Sequence, residues 1–292
     1  MPTLPFVIVD VFSRHPLAGN QLAVFTDARG LSDTQMQSLA RETNLSETTF
    51  VFPREKKTEQ ASGVKVRIFT PAEELPFAGH PTLGTAFVLR GAGAAEKIEL
   101  DLQVGKIPVE FSQKDGALFG EMTQRDPEFG SIHDREQVAQ AVGLKPEDIE
   151  PDLPIQTVST GFPFAIVPVR SLAALRALPF EWRRAQQFLE PSDAKFFYLV
   201  CRETESAKAR LHARMIFNQG EDPATGSAAG CAAAWMVKHG LAQPDEQVMI
   251  EQGIEIKRPS EIFVRASLRD GRVSSVRVGG HAVEVMRGEA SI

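Results

Sequence analysis

The stretches "RIFTPAEELPFAGH" (Arg67–His80) and "RMIFNQGEDPATGS" (Arg214–Ser227) align without gaps. Arginine, glutamate, proline and glycine coincide at Arg67/Arg214, Glu74/Glu221, Pro76/Pro223 and Gly79/Gly226. The offset, 214 − 67 = 147, is close to half of the 292-residue chain. Each copy reads as strand, turn, Pro-x-x-Gly-[His/Ser] and then a helix. Upstream, "GNQLAVF" from Gly19 and "GFPFAIV" from Gly161 correspond loosely. Equal spacing in matching context predicts a duplicated domain.

The segments Thr82–Arg90 and Ala228–His239 that follow are apolar almost all round, which predicts two buried helices. Short runs such as "VKVRIF" alternate in and out as half-buried strands do. Two central helices wrapped by mostly antiparallel strands make the fold class α+β rather than a βαβ alternation. Ser32 with Gln35, and Asp134 with Gln137, read as helix starts, and Gly143 as a helix stop. A boundary falls in "QRDPEFGSI", giving an N-terminal domain over 1–126 and a C-terminal domain over 127–280.

Two related domains bring two helix N-termini to one cleft. Each offers unpaired backbone N–H groups and a partial positive charge, a natural seat for a carboxylate. Glycine at 79 and 226 lets a ligand approach that backbone closely. The plainer reading is that both glycines only make tight turns.

Composition excludes several classes. A net charge of −6, with no basic run longer than Lys56-Lys57 or Arg183-Arg184, leaves no concentrated positive face for nucleic acid. No apolar run approaches the ~20 residues a membrane helix needs. The start "MPTLPFVIVDVF" lacks the charged and apolar regions of a signal peptide, and the two cysteines, Cys201 and Cys231, have no CxxC spacing. A cytoplasmic protein is expected. The six histidines show no HxH or HExxH spacing, so no metal is expected. Nucleophile-elbow and P-loop patterns are missing too.

The segments "DVFSRHPLAGNQLAVF", "LARETNLSETTFV", "RIFTPAEELPFAGHPTLGTA", "GEDPATGSAAGCAAA" and "QGIEIKRPS" occur in order from residue 10 to residue 260. Together they resemble the PhzF-like phenazine-biosynthesis isomerase family of the diaminopimelate epimerase superfamily. The resemblance implies two pseudo-symmetric domains, each a barrel-like sheet around a central helix. It places the active site in the interdomain cleft, with a carboxyl-terminal strand near 281–292 returning to the first domain. It also implies a homodimer that needs neither metal nor organic cofactor. Glu47 matches the family's catalytic glutamate, which moves a proton between substrate carbons. His80 and Asp222 match polar groups that hold the substrate and assist proton traffic. Ser227 matches the serine after the second glycine, and Gly79 and Gly226 match positions whose amides contact the ligand. The implied reaction is isomerisation of a small cyclic carboxylate, trans-2,3-dihydro-3-hydroxyanthranilate. Another small carboxylate, or a non-catalytic metabolite-binding role, are the alternatives.

Two positions depart from the pattern. Lys257 stands where a glycine is expected. Ala78 and Thr225 stand where the superfamily's amino-acid racemases and epimerases carry cysteine, which argues against two-cysteine racemisation.

On their own residues the same positions have blander readings. Glu47 would be an exposed strand glutamate, Asp222 a helix-entry acid, and His80 a structural histidine. Paired with Asp222 across a cleft, His80 would be held protonated and would donate to a substrate carboxylate. Cys231 falls inside the second helix and reads as core.

Overall fold

A computed structural model describes residues 3–218 and 220–292. Residue 219, in the second copy of the repeat, and residues 1 and 2, in the start read above as no signal peptide, lie outside the described residues. The chain divides into two compact units, Met1–Thr123 with Gly279–Ile292, and Gln124–Val278.

In the first unit the strand Thr3–Val11 pairs antiparallel with both Asn20–Phe25 and Ala282–Ser291. The sheet continues from Asn20–Phe25 to Glu47–Phe52 (parallel), Val64–Phe69 (antiparallel), Lys97–Leu102 (parallel) and Gly105–Lys114 (antiparallel). Ala117–Thr123 closes the run, antiparallel to Gly105–Lys114. One helix, Gly79–Arg90, touches strands from both ends and the middle of this order, so the sheet curls around it. Its residues from Gly79 to Phe87 are all buried, as an apolar surface on every side requires. Gly84 lets it sit close: a Cβ there would come within 2.6 Å of Val11 and 2.7 Å of Leu22. A second helix, Asp33–Thr43, covers part of the sheet with Met36, Leu39 and Ala40, against Phe25, Phe50 and Phe69. Ser32 and Gln35 form the capping box that starts it.

The second unit repeats the order. Gln156–Ser159 pairs antiparallel with Pro163–Val169, which runs parallel to Phe196–Cys201. Ala209–Arg214 follows antiparallel, Val248–Gln252 parallel and Ser260–Arg269 antiparallel. Both units therefore read antiparallel, parallel, antiparallel, parallel, antiparallel. The helix Gly226–Lys238 packs on three of these strands and buries every residue from Ala228 to Val237. Cys231 is fully buried within it, and burial pushes its thiol up to about 12, so it is core. Helices Arg135–Val142, Leu172–Arg176 and Trp182–Leu189 share a separate core with Ala165, Val167, Phe197 and Leu199. Asp134 caps the first of them and Gly143 ends it in the left-handed conformation.

The strands pair mostly antiparallel, as expected, with parallel exceptions in each unit. Each unit has two parallel pairings among the five in this order, because helices or long segments intervene between the partners. A parallel pair needs such a crossover, whereas a tight hairpin gives an antiparallel one. Among the described residues, no helix is long and apolar enough to cross a membrane.

Candidate functional site

The four coincidences of the repeat each have a structural cause. Arg67 grips Glu74 through two parallel bonds, Nε to Oε1 at 2.7 Å and Nη2 to Oε2 at 2.6 Å. Arg214 grips Glu221 identically, at 3.0 and 2.6 Å. A bidentate fork of this kind fixes direction as well as distance. It ties the end of a strand to the short segment leading into the central helix. Each proline then carries the chain to a glycine that is the first residue of that helix. Neither Gly79 nor Gly226 has a positive φ, so neither glycine is there for a left-handed turn. Neither helix start has a capping side chain, since Ala78 and Thr225 make no such bond. The first-turn N–H groups of both helices are therefore not claimed by a cap.

In the first unit the strand pairing sets Glu47 beside Leu22, at the start of its strand. Its side chain is 17% exposed, open enough to be reached but largely out of water. His80, the second residue of the helix, lies with Nε2 3.4 Å from Glu47 Oε2. Nδ1 of the same ring is 3.2 Å from Nδ2 of the buried Asn20. Burial pushes the imidazole down to about 3, against a smaller opposing effect of a backbone bond to Gln21. His80 is thus neutral at ordinary pH. The expectation of a protonated His80 is corrected: desolvation penalises the cation, and the carboxylate beside it within its own unit is Glu47.

In the second unit Asp222 is buried, with its N–H on Met215 O at 2.9 Å. Its Oδ2 accepts a 2.6 Å bond from Thr225 Oγ1. Gln252 donates to Asp222 O at 2.8 Å and to Thr225 Oγ1 at 2.9 Å. Gly226 is buried, and Ser227 follows it half-buried in the first helical turn. Glu47, His80 and Gly79 are thus gathered in one unit, and Asp222, Gly226 and Ser227 in the other. Asn20, Thr225 and Gln252 were not singled out from sequence as site residues. Asn20 and Gln252 do stand inside the quoted "GNQLAVF" and "QGIEIKRPS" segments. Among the described residues, no group of three or more His, Cys, Asp or Glu is placed to hold a metal ion.

Residues 9–288 match the family described as phenazine biosynthesis-like protein. The chain belongs to that family. It is 38% identical over 307 residues to an uncharacterized isomerase of Mesorhizobium japonicum, covering all of both chains. It is 37% identical over 287 residues to a trans-2,3-dihydro-3-hydroxyanthranilate isomerase of Pseudomonas chlororaphis, covering 97% of this chain and 98% of that one. The crystal structure of a PhzF-family phenazine biosynthesis protein from Bacillus anthracis superposes with a TM-score of 0.90 at 27% identity, over the whole of both chains. The α+β, diaminopimelate-epimerase-like fold implied by the motifs is the fold found.

Within this PhzF-like chain the two departures acquire a physical meaning. Lys257 has φ +59°, in a turn closed by Lys257 N to Ile254 O at 3.0 Å and Arg258 N to Gly253 O at 2.9 Å. The position demands the left-handed conformation that glycine adopts freely and lysine adopts at a cost of ~1–2 kcal/mol. Glycine would also loosen the unfolded chain, which offsets ~0.4–1 kcal/mol of the gain. Lys257→Gly is therefore expected to stabilise the protein by about 0.5–1 kcal/mol in denaturant unfolding, with no change in slope. At the other departure, the hydroxyl of Thr225 is committed to Asp222.

Proposed function

We propose that this PhzF-like chain isomerises trans-2,3-dihydro-3-hydroxyanthranilate by general acid–base catalysis, with Glu47 carrying hydrogen from C3 of the substrate to C1. The observation that carries this reading is Glu47 itself, a largely desolvated carboxylate 3.4 Å from a buried, neutral histidine. A carboxylate in that setting is suited to take up and return one proton. With Nδ1 facing the Asn20 amide nitrogen, the neutral His80 ring would carry its hydrogen on Nε2, toward Glu47, and favour the carboxylate from which the cycle starts. The first-turn amides at Gly79, and those at Gly226 and Ser227, would bind the substrate carboxylate, with the helix dipoles aligned to favour it. Asp222 would meet the amino or hydroxyl group. In this reading both halves act on one substrate in an interdomain cleft, within a cytoplasmic homodimer.

One base moving a proton along one face suits an allylic shift. Inverting a stereocentre needs groups on both faces, and the residues at the superfamily's cysteine positions supply none. Ala78 has no acid–base group, and the Thr225 hydroxyl is bonded to Asp222. The full-length relatives named above support the isomerase class, and the one from Pseudomonas chlororaphis supports the substrate. The test is turnover of that compound followed by proton NMR. Conversion by the wild type is expected. Lack of conversion would overturn the substrate, and a panel of small carboxylates screened for C–H exchange would then show whether the isomerase class stands.

A further inference from the structure

Gln252 ends the strand Val248–Gln252, thirty residues after Asp222, and its amide is fully buried. All of its hydrogen-bonding capacity on this side is spent on the Asp222–Thr225 segment and one phenol. Oε1 accepts from Tyr198 Oη at 3.0 Å and from Thr225 N at 3.2 Å. The two hydrogens on Nε2 go to Asp222 O and to Thr225 Oγ1.

This arrangement admits one orientation. The Thr225 N–H can only donate and the Asp222 carbonyl can only accept, so a flipped amide would face donor with donor and acceptor with acceptor. Thr225 Oγ1 accepts from Gln252 and donates its single hydroxyl hydrogen to Asp222 Oδ2, 2.6 Å away. A short O–H···O bond of this length is typical of a charge-assisted contact to carboxylate. The segment is held from a second side by Ser260 Oγ, which donates to Pro223 O at 2.9 Å.

We propose that Gln252 is a positioning residue that acts through Thr225 to hold Asp222 as an oriented carboxylate anion, with Oδ2 always an acceptor. This rests on the reading of Asp222 as a site residue given above. It assigns Asp222 the task of accepting hydrogen bonds from the substrate's amino or hydroxyl group and leaves proton delivery to Glu47. It also gives a use for threonine at a position where the superfamily's racemases carry a cysteine. Glu221 is paired in its fork with Arg214, and burial, followed by the nearby Asp222 carboxylate, pushes the Tyr198 phenol well up, so it stays a neutral donor.

The test compares wild type, Thr225→Val, Thr225→Ser, Gln252→Met and the Thr225→Val/Gln252→Met double variant. The Asp222 carboxyl is titrated by ¹³C NMR in protein labelled at aspartate, a readout that needs no substrate. Loss of the hydroxyl is expected to raise the Asp222 titration by about one pH unit or more. Thr225→Ser, which keeps the hydroxyl, should titrate like wild type. Turnover of the dihydro-hydroxyanthranilate should fall at least tenfold in kcat for Thr225→Val, with KM changed less than threefold, and recover with serine. The double variant should be no slower than Thr225→Val within about threefold, because Gln252 works through Thr225.

An unchanged Asp222 titration in Thr225→Val overturns the inference. So does a double variant whose loss is the product of the single losses. Should the wild type not turn over the compound, the proposed substrate fails, while the titration still decides the inference. If Gln252→Met does not fold, Gln252→Ala, which removes the same bonds to Asp222 O and Thr225, takes its place alone and in the double variant.

Discussion

Glu47→Gln is expected to lower kcat by about 10²–10⁴-fold while leaving KM within a few-fold of wild type. Glutamine keeps the shape of the side chain and its place at the start of the strand, so the substrate seat survives. What it loses is the ability to take a proton from carbon and give it back. His80 cannot substitute. Burial holds its imidazole at about 3, so it is too weak a base to abstract a carbon-bound proton near neutrality. For the same reason His80 should contribute no inflection to the pH–rate profile between pH 5 and 8. Steady-state kinetics of the two proteins check this. A Glu47→Gln enzyme within threefold of wild type in kcat would remove Glu47 from the chemistry.

His212→Leu is expected to cost the second unit about 3–5 kcal/mol. His212 is fully buried on the strand Ala209–Arg214, which runs parallel to Val248–Gln252 and sets it opposite Glu251. Its ring lies between two carboxylates, with Nδ1 2.8 Å from Glu251 Oε1 and Nε2 3.0 Å from Glu255 Oε1. Glu251 in turn accepts from the backbone N–H groups of Glu205 and Ser206 at 2.6 and 2.9 Å. Burial disfavours the charged ring, but the bonds to Glu255 and Glu251 outweigh it, and the His212 pKa is raised. Leucine would fill the space and leave two enclosed carboxylates facing each other without the cation.

The pH dependence follows from the direction of the shifts. A raised histidine pKa gives stability that is complete below its unfolded value of ~6.5 and is lost as pH rises through the folded value. Burial works to raise Glu255, but its bond to His212 and the nearby charges outweigh it and lower the pKa, so its contribution is present above its unfolded value of ~4.5 and lost as pH falls through the folded one. The gap between wild type and His212→Leu should be widest between these two values and narrow as pH rises through the folded value of His212. Denaturant unfolding across pH 5–9 measures it. A gap under 1 kcal/mol at pH 6 would mean that the cluster is not the clamp its geometry suggests.

The repeat was legible in sequence because its four coincident residues do the same work in both units. The arginine and glutamate form the same fork, and the proline and glycine bring the chain to a helix start. The two buried helices were legible because no charged residue interrupts either of them for two turns or more. The pairing order was not. Parallel and antiparallel neighbours look alike along a strand, and the difference lies in connections that pairing alone reveals. The strand Gln156–Ser159 is not legible either: "QTVS" has no apolar alternation, although three of its four residues are buried between two partner strands.

Within the candidate site, Glu47 and His80 stand 33 residues apart in sequence, and no spacing rule connects them. Their family motifs named them, and the curled sheet around the helix Gly79–Arg90 brought them together. The charge on His80 could not be read, because it depends on how much water the fold removes. Thr225 and Gln252 were passed over for a related reason. A threonine and a glutamine have no reactivity of their own to single them out, and their significance lies in which donors and acceptors the fold sets opposite them.

The most direct measurement of the central claim is proton NMR of trans-2,3-dihydro-3-hydroxyanthranilate in D₂O with wild type and with Glu47→Gln, at equal concentration. Conversion by the wild type alone, with the product taking its new hydrogen at C1, is the predicted result. The protium retained there would report how well Glu47 is shielded from solvent during transfer. Conversion at equal rates by both proteins, or by neither, would contradict the account.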